Sequence, residues 1–314
     1  MLPVNMYVHR RTLSLLLWLL LVLAACQPQA ETFIAPAASA TPPSNAPAVS
    51  TATEPSPSAT VPPATATPIP PALVVNQEAV SLAEYQAALE RFQRAQPDVP
   101  VEEARQAVLD ELIEQLLLAQ AAAEAGFVVE DTLLEERIEA LTTQVGGEQA
   151  LAAWLSENGY TEESFRHELA RAIAAAWMRD QIIATVPETA EQVHARQLLL
   201  SSLAEAQRVY NQLQSGSDFN VMLVYYDPAG LGDLGWFPRG YLEQQAIEEA
   251  AFALEPGEIS EVIETPLGFH ILQVIERLPD RPLDPDAKLV LQSKALDAWL
   301  QERRGESEIS ILVP

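Results

Sequence analysis

The residues that could do chemistry lie in the C-terminal half of the chain, where short motifs follow one another in order. Three residues there carry polar groups suited to a hydrogen-bonded site, namely His270, Asp227 and Gln197. Taken alone, His270 is most simply a core histidine with satisfied hydrogen bonds, so its meaning depends on the motifs around it. These are Val193-His-Ala-Arg-Gln-Leu-Leu-Leu200, Ser217-Asp-Phe219, Gly232-Asp-Leu-Gly-Trp-Phe237, Ala250-Ala-Phe-Ala-Leu254, Gly257-Glu-Ile-Ser260 and Leu267-Gly-Phe-His-Ile-Leu272.

This ordered series, within residues 192–277, resembles the parvulin (PpiC-like) family of peptidyl-prolyl cis-trans isomerases. A secretory N-terminus, a helical N-terminal region and a C-terminal helix flank it, as in the extracytoplasmic foldases of the SurA/PrsA type. In that family the flanking segments form a chaperone domain that binds unfolded clients. The resemblance therefore implies an isomerase whose partners are unfolded or nascent secreted polypeptides that contain X-Pro bonds.

The implied reaction asks for little chemistry. Rotation about an X-Pro bond crosses a barrier of ~20 kcal/mol without breaking any bond. An enzyme needs an apolar slot for the proline ring and a desolvated, hydrogen-bonded frame that favours the twisted amide. No nucleophile, metal or other cofactor is implied.

The resemblance also assigns site residues. His270 falls on the histidine of the family's polar network, Asp227 on its acidic or thiol position, and Gln197 on its second histidine. The slot for the proline ring falls on Leu234, Phe237, Leu242 and Ile247.

The sequence departs from the family pattern in three places. Gln197 replaces the second histidine, and His194 cannot stand in for it because side chains alternate across a strand. The loop between Phe219 and Gly232 is shorter than usual, and Ile247 replaces an aromatic residue. Since glutamine donates and accepts hydrogen bonds without titrating, part of the network can persist. Two hypotheses stay open: a working isomerase, of full or reduced activity, and a holdase chaperone whose parvulin domain only binds peptide.

The N-terminus has the features of a secretory leader. A short basic region precedes an apolar run that is too short to span a membrane comfortably, and the run ends in Leu23-Ala-Ala-Cys26. This tetrapeptide resembles the bacterial lipobox and predicts cleavage before Cys26, followed by lipidation of that residue. The alternative is an ordinary signal peptide, cut after Ala25, that leaves an incidental free thiol. The lipoprotein interpretation places the protein outside the cytoplasm, anchored to the cell membrane.

Residues 27–71 contain 12 of the 24 prolines of the chain, among Ala, Thr and Ser. Such a composition has too little apolar surface to offset its ordering entropy, so we expect a disordered tether that extends the reach of the protein. The net charge of −26 makes nucleic-acid binding improbable. The single cysteine excludes a disulfide scaffold.

The remaining pattern predicts an α+β protein with two folded parts. Residues 72–188 have helical periodicity and predict a SurA/PrsA-like N-terminal domain, residues 189–280 predict a small parvulin-like domain, and residues 281–314 form a C-terminal helix and strand. The last segment is too small to fold alone. We therefore expect it to pack on the helical domain, with its strand beside Leu73 to Val75. A solute-binding lipoprotein is disfavoured because repeated βαβ units are absent.

Overall fold

The computed structural model describes residues 70–227 and 232–313. The predicted leader, Cys26 and nearly all of the tether lie outside these ranges. In chain order the elements are β1 (Pro71–Val75), β2 (Glu78–Ser81), α1 (Leu82–Ala95), α2 (Val101–Glu124), α3 (Asp131–Val145), α4 (Glu148–Glu157), α5 (Glu162–Ile183), β3 (Thr189–Leu200), α6 (Leu203–Gln214), α7 (Phe219–Tyr226), β4 (Asp233–Pro238), α8 (Gln245–Ala253), β5 (Ile263–Thr265), β6 (Gly268–Pro282), α9 (Pro285–Glu306) and β7 (Ile309–Ile311).

Helices α1 to α5 make up most of the first domain, and local signals in the sequence define where two of them begin. The hydroxyl of Ser81 accepts a hydrogen bond from the Glu84 N–H at the start of α1. Thr161 and Ser164 form a reciprocal capping box at the start of α5. The apolar face of α2 supplies most of the core, including Leu116 and Leu117, which are fully buried.

The C-terminal segment completes this domain. Strand β7 pairs antiparallel with β1, with Ile311 opposite Leu73, in a three-stranded sheet of order β2-β1-β7. Helix α9 packs on α2 and α5, and its Leu300 is buried in a cluster with Ala175. The expected fold class is therefore confirmed: segments from both ends of the chain form a mainly helical domain, and a small α+β domain is inserted between them.

A charged cluster lies where α9 meets α2. The Arg304 guanidinium is 3.0 Å from Asp110 Oδ1 and 3.2 Å from Glu114 Oε1. The pKa of Glu114 is raised to about 7, chiefly by burial; Arg304 opposes this rise, and the nearby carboxylates of Glu111, Asp110 and Asp297 contribute to it. The docking of α9 therefore encloses a carboxyl group that favours its protonated form.

This carboxyl makes stability depend on pH. Because the folded-state pKa of Glu114 is above its unfolded value, its contribution is complete below about pH 4.5 and is lost as the pH rises through about 7. We expect Glu114→Gln to match the parent at pH 4 and to exceed it at pH 8 by about 1–2 kcal/mol, after allowance for solvent screening of a side chain that is 40% exposed.

Urea denaturation of the parent and the variant at both pH values measures this difference. Glu103→Gln removes one negative charge from an exposed position of the same helix and serves as the control. A Glu114→Gln variant that follows the parent at both pH values would contradict the assignment.

The second domain is built on a four-stranded antiparallel sheet of order β4-β3-β6-β5. The central strands β3 and β6 pair along almost their whole length, from Thr189 opposite Pro282 to Leu200 opposite Phe269. One face of the sheet, which includes Val193 and Leu272, packs against α8. Helices α6 and α7 cover the other face.

The structure differs from the sequence-based expectation at two places in this domain. Helix α7 occupies part of the stretch between Phe219 and Gly232 that was expected to be a loop. Strand β6 continues through Arg281 and Pro282, which the sequence analysis assigned to the C-terminal segment, because the first residues of β3 supply it with a pairing partner. Among the helices of the described ranges, none is both long enough and apolar enough to cross a bilayer.

Candidate functional site

The pairing of β3 with β6 brings Gln197 and His270 together. Gln197 lies opposite Leu272, two residues from His270, so the two side chains are diagonal neighbours on one face of the sheet. His270 Nδ1 is 2.8 Å from Gln197 Oε1. His270 is only 2% exposed, whereas Gln197 is half-buried. Glutamine therefore occupies the position expected for a second histidine and makes a direct hydrogen bond with the first.

A third member of this network is Thr265, which the sequence analysis did not identify. Thr265 ends β5, and a tight turn returns the chain to β6, so that Thr265 Oγ1 lies 2.8 Å from His270 Nε2. The Leu267 N–H donates to the same hydroxyl oxygen at 3.1 Å. The only signal in the sequence is a threonine five residues before His270 in a hairpin, and that signal is weak without knowledge of the pairing.

The three side chains fit an arrangement of hydrogens in which the His270 ring is neutral. Gln197 Oε1 can only accept, so His270 Nδ1 carries the hydrogen and donates it. His270 Nε2 then accepts from the Thr265 hydroxyl, while that hydroxyl oxygen accepts from Leu267. Burial lowers the pKa of His270, which favours the neutral ring that this arrangement requires. The network therefore contains a neutral imidazole at neutral pH.

Asp227 lies at the edge of this network. It follows α7, and its carboxylate accepts a hydrogen bond from the Gly232 N–H. The Gly232 carbonyl in turn accepts from the Gln197 N–H at 2.7 Å. Within the described residues, the hydrogen bonds of the Asp227 side chain do not include one to His270. The structure thus links Asp227 to Gln197 through the backbone of Gly232.

The four residues expected to form the proline slot lie in or against one apolar cluster. Phe237 and Ile247 are buried members of this cluster, with exposed fractions of 0% and 3%. Leu234 and Leu242 pack against it and remain partly exposed. The cluster also contains Leu272, which lies on the same face of the sheet as His270. The apolar surface and the polar network are therefore neighbours on that face.

His194 lies away from this site, as strand alternation requires. Its Nε2 is 2.9 Å from Asp233 Oδ1, and its ring packs beside Trp236 with a centroid distance of 5.5 Å. It therefore does not replace the missing second histidine.

Comparison with known proteins identifies two domains in the chain. A family model described as a SurA-like N-terminal domain matches residues 62–179. A second model, described as a PPIC-type PPIase domain, matches residues 182–276, a range that includes His270, Gln197, Thr265 and the expected slot residues.

The curated relatives that match this chain are named foldase protein PrsA or chaperone SurA. The foldase protein PrsA of Halalkalibacterium halodurans is 27% identical over 234 residues, which cover 67% of this chain and 67% of the relative. The foldase protein PrsA of Caldanaerobacter subterraneus is 28% identical and covers 71% of this chain and 78% of its own length. The chaperone SurA of Nitrosospira multiformis is 38% identical over 147 residues, which cover 40% of this chain and 33% of the relative.

Among solved structures, the peptidylprolyl isomerase PrsA of Bacillus cereus is similar to this chain, with 19% sequence identity and a TM-score of 0.44. The match covers 72% of this chain and 84% of the solved chain.

Proposed function

We propose that this chain is a membrane-tethered foldase that acts outside the cytoplasm. The chain belongs to the PPIC-type peptidyl-prolyl cis-trans isomerases and joins a PPIase domain of this type to a SurA-like N-terminal domain. Its PPIase domain accelerates cis-trans exchange of X-Pro bonds in secreted or envelope proteins. Its helical domain binds the same clients while they are unfolded.

The observation that carries the catalytic part is the network in which half-buried Gln197 and Thr265 hold the buried His270, beside a partly exposed apolar surface. The surface of Leu234 and Leu242 offers a contact for the proline ring, which removes the peptide from water on that side. A neutral, fully hydrogen-bonded imidazole fixes the local dipoles without introducing a charge. Such a preorganised, poorly solvated frame favours the twisted amide, whose nitrogen has lost conjugation, over the planar ground states.

The test of catalysis is exchange spectroscopy by NMR on a panel of X-Pro peptides, with residues 70–314 as the parent. We expect the parent to accelerate exchange and His270→Ala to reduce the acceleration roughly tenfold, because Gln197 and Thr265 each lose a buried partner. Unchanged circular dichroism of the variant shows that its fold is intact.

Gln197→His distinguishes the isomerase from a holdase. A parent without measurable exchange, together with restored exchange in Gln197→His, would mean that the domain only binds peptide. Suppression of client aggregation without faster proline-limited refolding would lead to the same conclusion. Acceleration by the parent that falls in His270→Ala supports an isomerase whose network works with glutamine.

The tether and anchor are supported by sequence features outside the described residues, namely the Leu23-Ala-Ala-Cys26 motif and the proline-rich segment that follows it. Lipidation at Cys26 would hold the protein firmly, since each buried CH₂ contributes about 0.8 kcal/mol. Mass spectrometry of the mature protein from membranes tests this part. A soluble, unmodified mature chain would refute the anchor.

A further inference from the structure

The loop between β4 and α8 carries Leu242, one wall of the expected proline slot. A carboxylate on α8 holds the backbone of this loop from one side. Glu248, next to the slot residue Ile247 on α8, accepts from the Gly240 N–H at 2.7 Å through Oε1. Its Oε2 accepts from the Leu242 N–H at 3.0 Å. Both oxygens of one ionised group therefore hold the loop backbone, and such charge-assisted bonds are stronger than neutral ones.

The same loop is held from the other side by α9, which belongs to the helical domain. The Lys294 ammonium donates to the Gly240 carbonyl oxygen at 2.5 Å. Gly240 has a φ of +84°, and a Cβ added there would be 3.2 Å from Leu291 Cδ2 of the same helix. Glycine thus permits both the left-handed backbone and the close approach of α9.

Helix α9 is fixed in the helical domain independently of this contact. Leu300 is buried against Leu118, Ala175 and Ile182 of that domain. A change in the position of α9 relative to the PPIase domain would therefore move the Lys294 ammonium away from the Gly240 carbonyl. Among the described residues, the slot wall is connected to α9 of the helical domain by the hydrogen bond between Lys294 and the Gly240 carbonyl and by the close approach of Leu291 to Gly240.

We infer that α9 positions the proline slot: Lys294 acts through Gly240, opposite Glu248, to set the place of Leu242 against the rest of the apolar surface. Lys294 and Glu248 are positioning residues, since both act on the slot through the backbone of the loop that carries Leu242. This inference rests on the proposed function and deepens it, because it makes substrate binding by the PPIase domain depend on the helical domain.

The test is Lys294→Met in residues 70–314, a change that removes the ammonium and keeps an apolar stem. Lys288→Met is the matched control, since Lys288 is the other lysine of the chain, lies on the same helix and bonds Glu188 at 2.6 Å. We expect Lys294→Met to shift the amide resonances of Gly240 and Leu242 and to raise KM for an X-Pro peptide about fivefold at constant kcat. Lys294→Arg keeps the donor and its charge, and it should restore most of the loss.

Three outcomes would overturn the inference: unchanged Gly240 and Leu242 resonances, an equal rise of KM in Lys288→Met, or a loss confined to kcat. If the parent binds the peptide without accelerating exchange, the proposed catalysis fails. The inference is then tested by the peptide dissociation constant, which should rise in Lys294→Met and not in Lys288→Met. If the parent neither binds nor isomerises the peptide, the proposed function and the inference both fail. The two failures are therefore distinguishable.

Discussion

Gly232→Ala is expected to abolish isomerase activity and to destabilise the PPIase domain by about 3 kcal/mol. A Cβ at this position would overlap the carbonyl oxygen of Gln197 and would lie 2.7 Å from Leu223 Cδ1 and 3.0 Å from Asp227 Oδ2. Backbone atoms cannot yield as a flexible side chain can. The hydrogen bond between the Gln197 N–H and the Gly232 carbonyl would therefore break, and Gln197 would move away from His270.

Urea denaturation and NMR exchange of the same sample measure both parts of this prediction. Gly257→Ala is the control, because Gly257 has a φ of +93° but an added Cβ meets no atom within 4 Å. This control introduces backbone strain of about 1 kcal/mol without an overlap, and it should retain activity. Parental activity and stability in Gly232→Ala would show that the site does not depend on this close approach.

Removal of residues 283–314 is expected to unfold the helical domain. The deletion takes away the strand that pairs with β1. It also takes away the helix whose Leu300 covers Leu118, Ala175 and Ile182. It also removes Ile309 and Val313, which pack against the main core of the domain. Since each buried large apolar side chain contributes roughly 1.5–3 kcal/mol, the loss amounts to about 5 kcal/mol or more, comparable to the whole stability of many domains.

Circular dichroism and thermal melting of the truncated chain test this prediction. We expect lower helicity and loss of the transition that belongs to the helical domain, while the sheet of the PPIase domain stays folded. Addition of residues 283–314 as a separate peptide should restore part of the helicity. Unchanged helicity and melting temperature would contradict the role of the C-terminal segment.

The sequence alone determined much of the local structure and the order of the domains. Ser81 and Thr161 mark helix starts because a cap depends on residues only three positions apart. Strand alternation correctly separated His194 from Gln197, because neighbouring side chains on a strand point to opposite faces whatever the strand pairs with. The ordered motifs also predicted the fold class, since they depend on type and order and not on coordinates.

Other features required the tertiary structure. The apolar segment Phe219–Tyr226 has little helical pattern of its own and forms α7 where it packs on the sheet. Thr265 joins His270 only because a hairpin turns the chain back between them. Lys294 reaches Gly240 only because α9 docks on the helical domain. Such contacts depend on how whole elements pack, and residues far apart in the chain carry no local signal of the neighbour that packing will bring to them.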